Sequence, residues 1–157
     1  MLKEGSRAPA FSLLSDAEEK VALKDFKGQI VILYFYPKDM TPGCTTEACD
    51  FRDNMNRLKK LDAIVLGVSK DSPETHRKFK KKEGLQFPLL SDEEGKVCEA
   101  YGVWQEKSLY GRKFMGIVRS TFVIGPDQKM RKLFSKVKVN GHVDEIIAYC
   151  KELTEKQ

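Results

Sequence analysis

The chain has 157 residues, 41% of them hydrophobic, which suits one domain spanning residues 1–157 with a single core. Its 28 basic and 23 acidic side chains leave a net charge of only +5, so the lysine-rich segments are typical of a solvated surface and we expect no nucleic-acid partner. Because no stretch approaches the ~20 apolar residues of a membrane span or the apolar core of a signal peptide, we expect a cytoplasmic protein without a membrane partner.

The first part of the chain has the patterns of β-structure. Phe11 and Leu13 alternate with polar residues before a polar turn, and Val21 and Leu23 do so after it, which predicts an N-terminal β-hairpin. The next apolar run, QIVILYFYP, is continuously β-branched and aromatic. This composition is typical of a strand that is buried on both faces and has parallel neighbours.

Two helices and a second buried strand are predicted next. From Ala48 to Leu61, apolar residues recur at helical spacing, which predicts one amphipathic helix. The run AIVLGVS, residues 63–69, repeats the composition of the buried strand. A further helix begins at Pro73 and stops at Gly84, with a proline in its first turn and a glycine at its end.

The sequence pattern in the last third of the chain predicts a short helix, a hairpin and a long helix. KVCEAYGV suits a short helix that leads into a loop with Trp104, and STFVIGPDQKMRKLFSKV suits a hairpin with its turn at residues 125–128. HVDEIIAYCKELTEK predicts an amphipathic helix. The order of elements indicates an α/β protein with a thioredoxin-like fold, in which helices flank a central mixed β-sheet and a β-hairpin lies at the N-terminus.

The number and spacing of the cysteines favour redox chemistry. Four cysteines are too few for a disulfide scaffold, and in a reducing compartment a disulfide is more often transient and catalytic than structural. Zinc binding is the competing use of cysteine. However, the chain has no C-x-x-C, and its two histidines, His76 and His142, lie in unrelated lysine-rich and helix-start contexts. We therefore expect no metal site.

The segment TPGC, residues 41–44, has the features of a helix start. Thr41 precedes a proline, which disfavours the helical region for Thr41, and Pro42 is pre-set for the first helical position. Thr41 is therefore predicted to be the N-cap, with its side chain accepting a hydrogen bond from the amide of Cys44. The sulfur of Cys44 would then lie in the first turn, where free amides and the helix dipole favour an anion.

A helix start alone is too weak to ionise a thiol at neutral pH. A free thiol with a pKa of about 8.5 is only about 3% ionised at pH 7, and lowering that pKa to about 6 requires about 3.4 kcal/mol. A helix terminus supplies up to about 2 kcal/mol, and a hydrogen bond to a cation adds about 1.5 to 3 kcal/mol. A reactive Cys44 therefore needs an arginine. Without one, its place on the apolar stripe would suit a buried, inert thiol.

Cys49 differs from Cys44 because it lies on a polar helix face, shared with Asp53, Asn56 and Lys60. In an intact α-helix, residues five apart have Cα atoms about 8.6 Å apart. Cysteines with Cα atoms more than about 7 Å apart do not bridge without backbone movement. If Cys44 and Cys49 pair, the first helical turns must unwind, which would couple the redox state to local folding.

The segment around Cys44 resembles a known family. Pro37, Thr41 and Cys44 match the P-x-x-x-T-x-x-C active-site pattern of peroxiredoxins, and TPGCTTEACDFRD resembles the bacterioferritin comigratory protein, or peroxiredoxin Q, subgroup. The resemblance continues through GSRAPAFSL, LKDFKG, VLGVSKDSPETHRKF, FPLLSDEEGKVCEAYGVW and VRSTFVIGPD. It implies a thioredoxin fold and an antioxidant, thiol-dependent peroxidase that reduces hydrogen peroxide and organic hydroperoxides.

The resemblance also implies a role for each residue of the pattern. Cys44 would be the peroxidatic cysteine, which attacks a hydroperoxide and becomes a sulfenic acid. Thr41 would orient the sulfur and hydrogen-bond the peroxide, and Pro37 would shape and shield the pocket. Arg119 resembles the arginine that stabilises the thiolate and polarises the peroxide. Glu47 resembles an acid that positions this arginine.

Cys49 matches the resolving cysteine of many members of the subgroup. It would attack the sulfenic acid to form an intramolecular disulfide, which thioredoxin or a similar donor would then reduce. Cys98 and Cys150 match no catalytic position and suit the core, although resolution by Cys98 stays open. The resemblance implies no cofactor, since cysteine sulfur does the chemistry, and it favours a monomer.

Two other functions compete with the peroxidase. A disulfide oxidoreductase of the thioredoxin type would share the inferred fold, but that chemistry typically uses C-x-x-C rather than the C-x4-C found here. A nucleic-acid or interaction module would rest on the lysine-rich segments alone. The sequence therefore favours the peroxidase.

Overall fold

A seven-stranded mixed β-sheet forms the centre of the molecule. The structure is a computed structural model and describes residues 2–156. Within this range the strands are β1 Ser12–Ser15, β2 Lys20–Ala22, β3 Ile30–Phe35, β4 Ala63–Ser69, β5 Leu89–Ser91, β6 Trp104–Leu109, β7 Arg112–Ile117, β8 Ser120–Ile124 and β9 Met130–Ser135. The strand order in the sheet is β2-β1-β5-β4-β3-β8-β9, and β6 and β7 form a separate hairpin.

The helices of the described residues are α1 Pro42–Asp53, α2 Met55–Lys60, α3 Pro73–Glu83, α4 Lys96–Ala100 and α5 His142–Glu155, with a 3-10 turn at Leu23–Phe26. Residues from α1, α2, α3 and α5 cover one face of the sheet, and α4 and the N-terminal segment contribute to the other. Within residues 2–156, no helix combines the length and the apolar character that crossing a bilayer requires. The predicted arrangement of helices around a mixed sheet is confirmed.

The centre of the sheet consists of the buried strands that the apolar runs predict. β3 pairs in parallel with β4, and β4 with β5, whereas β8 runs antiparallel to β3. Every residue of β3 is buried, because successive side chains enter the core on opposite faces of the sheet. Ile32 and Tyr34 pack under the four helices, and Leu33 and Phe35 pack on the opposite face.

Three features differ from the sequence prediction. The predicted helix from Ala48 to Leu61 is two helices, since α1 ends at Asp53 and the Asn54 side chain donates to the carbonyl of Asp50 at 2.8 Å. Such a local side-chain bond competes with helical continuation. Trp104, expected in a loop, begins the hairpin β6–β7, and the strand β5 is an addition to the predicted elements.

The glycine in β4 is required by the packing of the central sheet, which makes it a test of the fold. A Cβ at Gly67 would lie 3.0 Å from both Leu89 and the Tyr34 ring, and both neighbours are fully buried. We expect Gly67→Ala to lower the free energy of unfolding by about 1–3 kcal/mol, because a packed core has no room for the methyl group. Urea denaturation followed by circular dichroism measures the change.

Gly116→Ala is the matched control. A Cβ at Gly116 would also meet a side chain closely, at 2.9 Å, but that contact is with Lys107, a flexible chain on the exposed hairpin. We expect this variant to change the free energy of unfolding by no more than about 0.5 kcal/mol. Equal losses in both variants would contradict the packing argument.

Candidate active site

Cys44 lies in the first turn of α1, at the third helical position. Thr41 is the N-cap, with extended backbone angles of φ −90° and ψ 156°, and Pro42 follows it at the start of the helix. The side chain of Cys44 is only 1% exposed and belongs to the core under the helices. The helix start predicted for residues 41–44 is confirmed, and it places a thiol next to the free amides of the first turn.

Arg119 supplies the cation that the sequence estimate requires. Its Nη2 lies 3.1 Å from the Sγ of Cys44, and its Nη1 donates to Oε1 of Glu47 at 2.6 Å. The strand pairing explains how an arginine so distant in sequence arrives there. Ser120 begins β8 opposite Phe35 of β3, so Arg119 lies where β3 ends and the chain turns toward α1.

Gly43 makes room for this arginine. A Cβ at Gly43 would lie 3.3 Å from Nη2 of Arg119, which is closer than most side-chain contacts allow. A side chain there would press on the same nitrogen that contacts Cys44. The sequence alone does not explain why a glycine stands at position 43. The explanation is the position of Arg119 in the folded protein.

Glu47 is one helical turn beyond Gly43 and buried, with 1% of its surface exposed. Burial raises the pKa of Glu47 to about 7, although the charge and the hydrogen bond of Arg119 oppose the increase. Its second oxygen, Oε2, is buried without a hydrogen-bond partner among residues 2–156. A buried carboxylate of this kind depends on its cation, so Glu47 and Arg119 hold each other in place.

The predicted hydrogen bond of the helix cap is wrong. The Oγ1 of Thr41 donates to the carbonyl of Lys38 at 2.9 Å, and Thr41 makes no side-chain bond to the helix amides. The hydroxyl is thus turned toward the preceding loop by a partner three residues earlier, a local bond that threonine commonly makes. The Thr41 side chain therefore does not bond the amide of Cys44.

Pro37 is half-buried in the loop between β3 and α1, and this loop is anchored by a polar network that sequence reasoning missed. Asp39 accepts a hydrogen bond from the Tyr36 hydroxyl at 2.5 Å and lies 2.6 Å from Nδ1 of His76. Its amide donates to Asp71 at 2.9 Å. We call these four polar residues, Tyr36, Asp39, Asp71 and His76, the Asp39 anchor.

The buried centre of the Asp39 anchor is hydrogen-bonded on both sides of the His76 ring. Nε2 of His76 lies 3.0 Å from the carbonyl of Leu90, and because a carbonyl only accepts, Nε2 is the donor. Nδ1 lies against the Asp39 carboxyl group. These bonds explain how two fully buried polar side chains are tolerated in the core.

Metal binding is the other use of such a cluster, because the ligand atoms of Asp39, Asp71 and His76 lie within 4.8 Å of one another. Those atoms are already engaged in hydrogen bonds, including one from Ser69 to Asp71 at 2.6 Å. The cluster is thus complete without an ion. His76 nevertheless does not lie in an unrelated context, as the sequence suggested, but joins α3 to the loop before Cys44.

Cys49 is half-buried on the side of α1 that meets α3, and its Sγ donates to Oε1 of Glu83 at 3.7 Å. Burial raises the pKa of Cys49, and the negative charge of Glu83 adds to the increase, while Arg52 opposes it. Because Cys44 and Cys49 lie in one continuous helix and are both free thiols, their Cα atoms are separated by about 8.6 Å. Asn56 and Lys60, predicted on the same face, belong to α2 instead.

Cys98 and Cys150 lie in the core, as predicted. Cys150 lies in the core on the same face of the sheet as Cys44, and burial raises the pKa of Cys150 to about 12. Cys98 lies on the opposite face of the sheet, where burial and Asp92 raise its pKa well above the ordinary range of a thiol. The sheet lies between Cys98 and Cys44 in this structure.

The chain is similar to proteins of one family over most of its length. The AhpC/TSA family model matches residues 5–133. The chain is 51% identical to Peroxiredoxin Bcp of Bacillus subtilis over 152 residues, covering 97% of each chain. It is 50% identical to Peroxiredoxin Bcp of Escherichia coli over 151 residues, covering 96% of this chain and 97% of the relative.

Solved structures have the same fold. A peroxiredoxin Q mutant of Xylella fastidiosa superposes with a TM-score of 0.93 at 36% identity, covering 98% of each chain. The bacterioferritin comigratory protein of Xanthomonas campestris superposes with a TM-score of 0.89 at 38% identity, covering 96% of this chain and 98% of the other. The chain therefore belongs to the AhpC/TSA family and is a peroxiredoxin, a thiol peroxidase of the bacterioferritin comigratory protein, or peroxiredoxin Q, group.

Proposed function

We propose that Cys44 is the peroxidatic cysteine of this peroxiredoxin and that Arg119, Thr41 and Pro37 form its substrate pocket. The observation that carries the proposal is the 3.1 Å contact between Nη2 of Arg119 and Sγ of Cys44. A guanidinium beside a thiol at a helix start stabilises the thiolate, which is the nucleophilic form. The same guanidinium is then in reach of a peroxide oxygen that approaches the sulfur.

The first step transfers one oxygen atom to sulfur. The thiolate of Cys44 attacks the distal oxygen of a hydroperoxide, the O–O bond breaks, and the leaving alkoxide or hydroxide takes up a proton to give an alcohol or water. The sulfur becomes a sulfenic acid. Negative charge moves onto the leaving oxygen during this step, and Arg119 supports it as a fixed cation that is already in place.

Cys49 resolves the sulfenic acid in the second step. Its sulfur attacks the sulfur of Cys44, the S–O bond breaks, and water leaves as the disulfide forms. The separation of about 8.6 Å within one helix exceeds the limit of about 7 Å for a disulfide, so part of α1 unwinds in each cycle. A dithiol protein of the thioredoxin type then reduces the disulfide through a mixed disulfide.

The substrates are hydrogen peroxide and organic hydroperoxides. The Xanthomonas campestris relative was studied for alkyl peroxide reduction, which supports the organic class here. The enzyme acts as a monomer formed by one domain, since one chain supplies both reactive cysteines and Arg119. It works in the cytoplasm, where a reducing environment keeps its four cysteines free between cycles.

Serine substitutions separate the two cysteine roles. We expect Cys44→Ser to abolish peroxide consumption, because a serine hydroxyl is not ionised at neutral pH and does not accept the oxygen atom. Cys49→Ser should still consume one equivalent of hydrogen peroxide per chain and then stop when only a thioredoxin-type donor is present. Stopped-flow peroxide consumption measures both variants, with Cys98→Ala as the control that keeps full turnover. An active Cys44→Ser protein would refute the assignment.

Removal of the cation should slow the first step. We expect Arg119→Ala to lower the second-order rate constant for Cys44 oxidation roughly 10- to 100-fold, because it removes a charged hydrogen bond with a typical value of about 1.5–3 kcal/mol. Single-turnover oxidation with hydrogen peroxide measures this constant. The control is Arg112→Ala, which removes an exposed arginine on the β6–β7 hairpin. An equal rate constant in both variants would assign thiolate activation to another group.

A further inference from the structure

Two residues of α1 contact the same residue at the end of α3. Sγ of Cys49 donates to the Glu83 carboxylate at 3.7 Å, and Nη1 of Arg52 donates to the Glu83 backbone carbonyl. Cys49 and Arg52 are three residues apart and therefore lie on one side of the helix. Glu83 is the last residue of α3, and Gly84 ends that helix with a left-handed backbone. The carboxylate of Glu83 is thus held beside the thiol of Cys49.

The two ends of α1 differ in how firmly they are held. The first turn contains Gly43, Thr45 and Thr46, which are poor helix formers, and oxidation of Cys44 removes the negative charge that Arg119 contacts. Farther along, Phe51 is completely buried and Arg52 ties α1 to α3. The first turn is therefore the part that unwinds, and it brings Cys44 to Cys49, which stays next to Glu83.

Cys49 must lose a proton before it attacks. Burial and the neighbouring carboxylate raise the pKa of Cys49, so its sulfur is a thiol at neutral pH and a poor nucleophile. The charged groups that face this sulfur are Arg52 and Asp53 on α1 and Glu83 on α3. Of these, Glu83 is the group to which the thiol hydrogen bonds, and an ionised carboxylate accepts protons.

We propose that Glu83 is the general base of the resolving step, a role that rests on the proposed function of Cys49. As the Cys49 sulfur attacks the sulfenic sulfur of Cys44, the carboxylate takes the thiol proton, the S–S bond forms and the S–O bond breaks. The departing hydroxide takes this proton from Glu83, either directly or by way of solvent, and leaves as water. The Cys44 sulfur is reduced, the Cys49 sulfur is oxidised, and the carboxylate ends the step unchanged.

The test compares Glu83→Gln with the wild type in single turnover. The carboxylate of Glu83 is not needed to hold the helices together, because Arg52 bonds the backbone carbonyl and not the side chain. Reduced protein is mixed with one equivalent of hydrogen peroxide, quenched with an alkylating agent at set times, and analysed by intact mass and peptide mapping. We expect disulfide formation to slow roughly 100-fold, the usual range of general-base catalysis, and sulfenic acid at Cys44 to accumulate.

The pH profile separates a base from a structural contact. With an internal base, the rate of disulfide formation is nearly constant across neutral pH, because the thiol proton passes to the carboxylate during the attack and free thiolate is not required. Without it, attack depends on free thiolate, and the rate rises about tenfold per pH unit. We expect the flat profile in the wild type and in Glu83→Asp, and the rising profile in Glu83→Gln.

Glu74→Gln is the matched control, since it removes from the same helix an exposed carboxylate that pairs with Lys78 on the surface. It should match the wild type in rate and profile. Two results would overturn the role of Glu83 and leave the resolving function of Cys49 intact. One is disulfide formation at the wild-type rate in Glu83→Gln, and the other is a slow reaction whose rate stays independent of pH. A wild-type protein that forms no Cys44–Cys49 disulfide would overturn the proposed resolving function as well.

Discussion

The guanidinium of Arg119 lies between the sulfur of Cys44 and the buried carboxyl group of Glu47 and contacts both. Its fork of donors suits this position, because one nitrogen reaches each partner while the group stays planar. The fold is arranged around this contact. The pairing of β8 with β3 brings the arginine to the helix start, and the glycine at position 43 leaves it space.

The catalytic cycle needs a site that is rigid before oxidation and partly labile after it. The Asp39 anchor fixes the loop before α1 through buried hydrogen bonds, one of them to His76 on α3. The first turn of α1 contains weak helix formers, and it is held by the burial of Cys44 and by the contact of Cys44 with Arg119. In the proposed cycle, oxidation replaces the thiolate in that contact with a neutral sulfenic acid, so the segment that must move loses one of the interactions that hold it.

The sequence predicts those parts of the fold whose signals are local. The apolar runs locate β3 and β4, and the Thr-Pro-Gly-Cys corner locates the start of α1, because proline acts on its neighbours directly. The β6–β7 hairpin escapes prediction because its residues are mostly exposed and carry little apolar periodicity. The side chain of Thr41 turns to Lys38 instead of the helix, a choice between two local partners that the sequence leaves open.

The site residues that depend on tertiary pairing are harder to predict. The family resemblance predicts Arg119 as a site residue, whereas its local sequence marks it only as an ordinary arginine beside a strand. His76 and Glu83 carry no signal in the sequence, because their partners lie 37 and 34 residues away on other elements. Their roles emerge from the packing of α3 against α1 and the loop before it, which no short segment of the chain encodes.

Peptide mass mapping after one equivalent of hydrogen peroxide tests the central claim most directly, with free thiols alkylated before digestion. A linkage between Cys44 and Cys49 is expected, and because both residues belong to one helix of the reduced protein, it would also establish that α1 unwinds during the cycle. A linkage of Cys44 to Cys98, across the sheet, or a stable sulfenic acid at Cys44 with Cys49 still alkylated would contradict this mechanism.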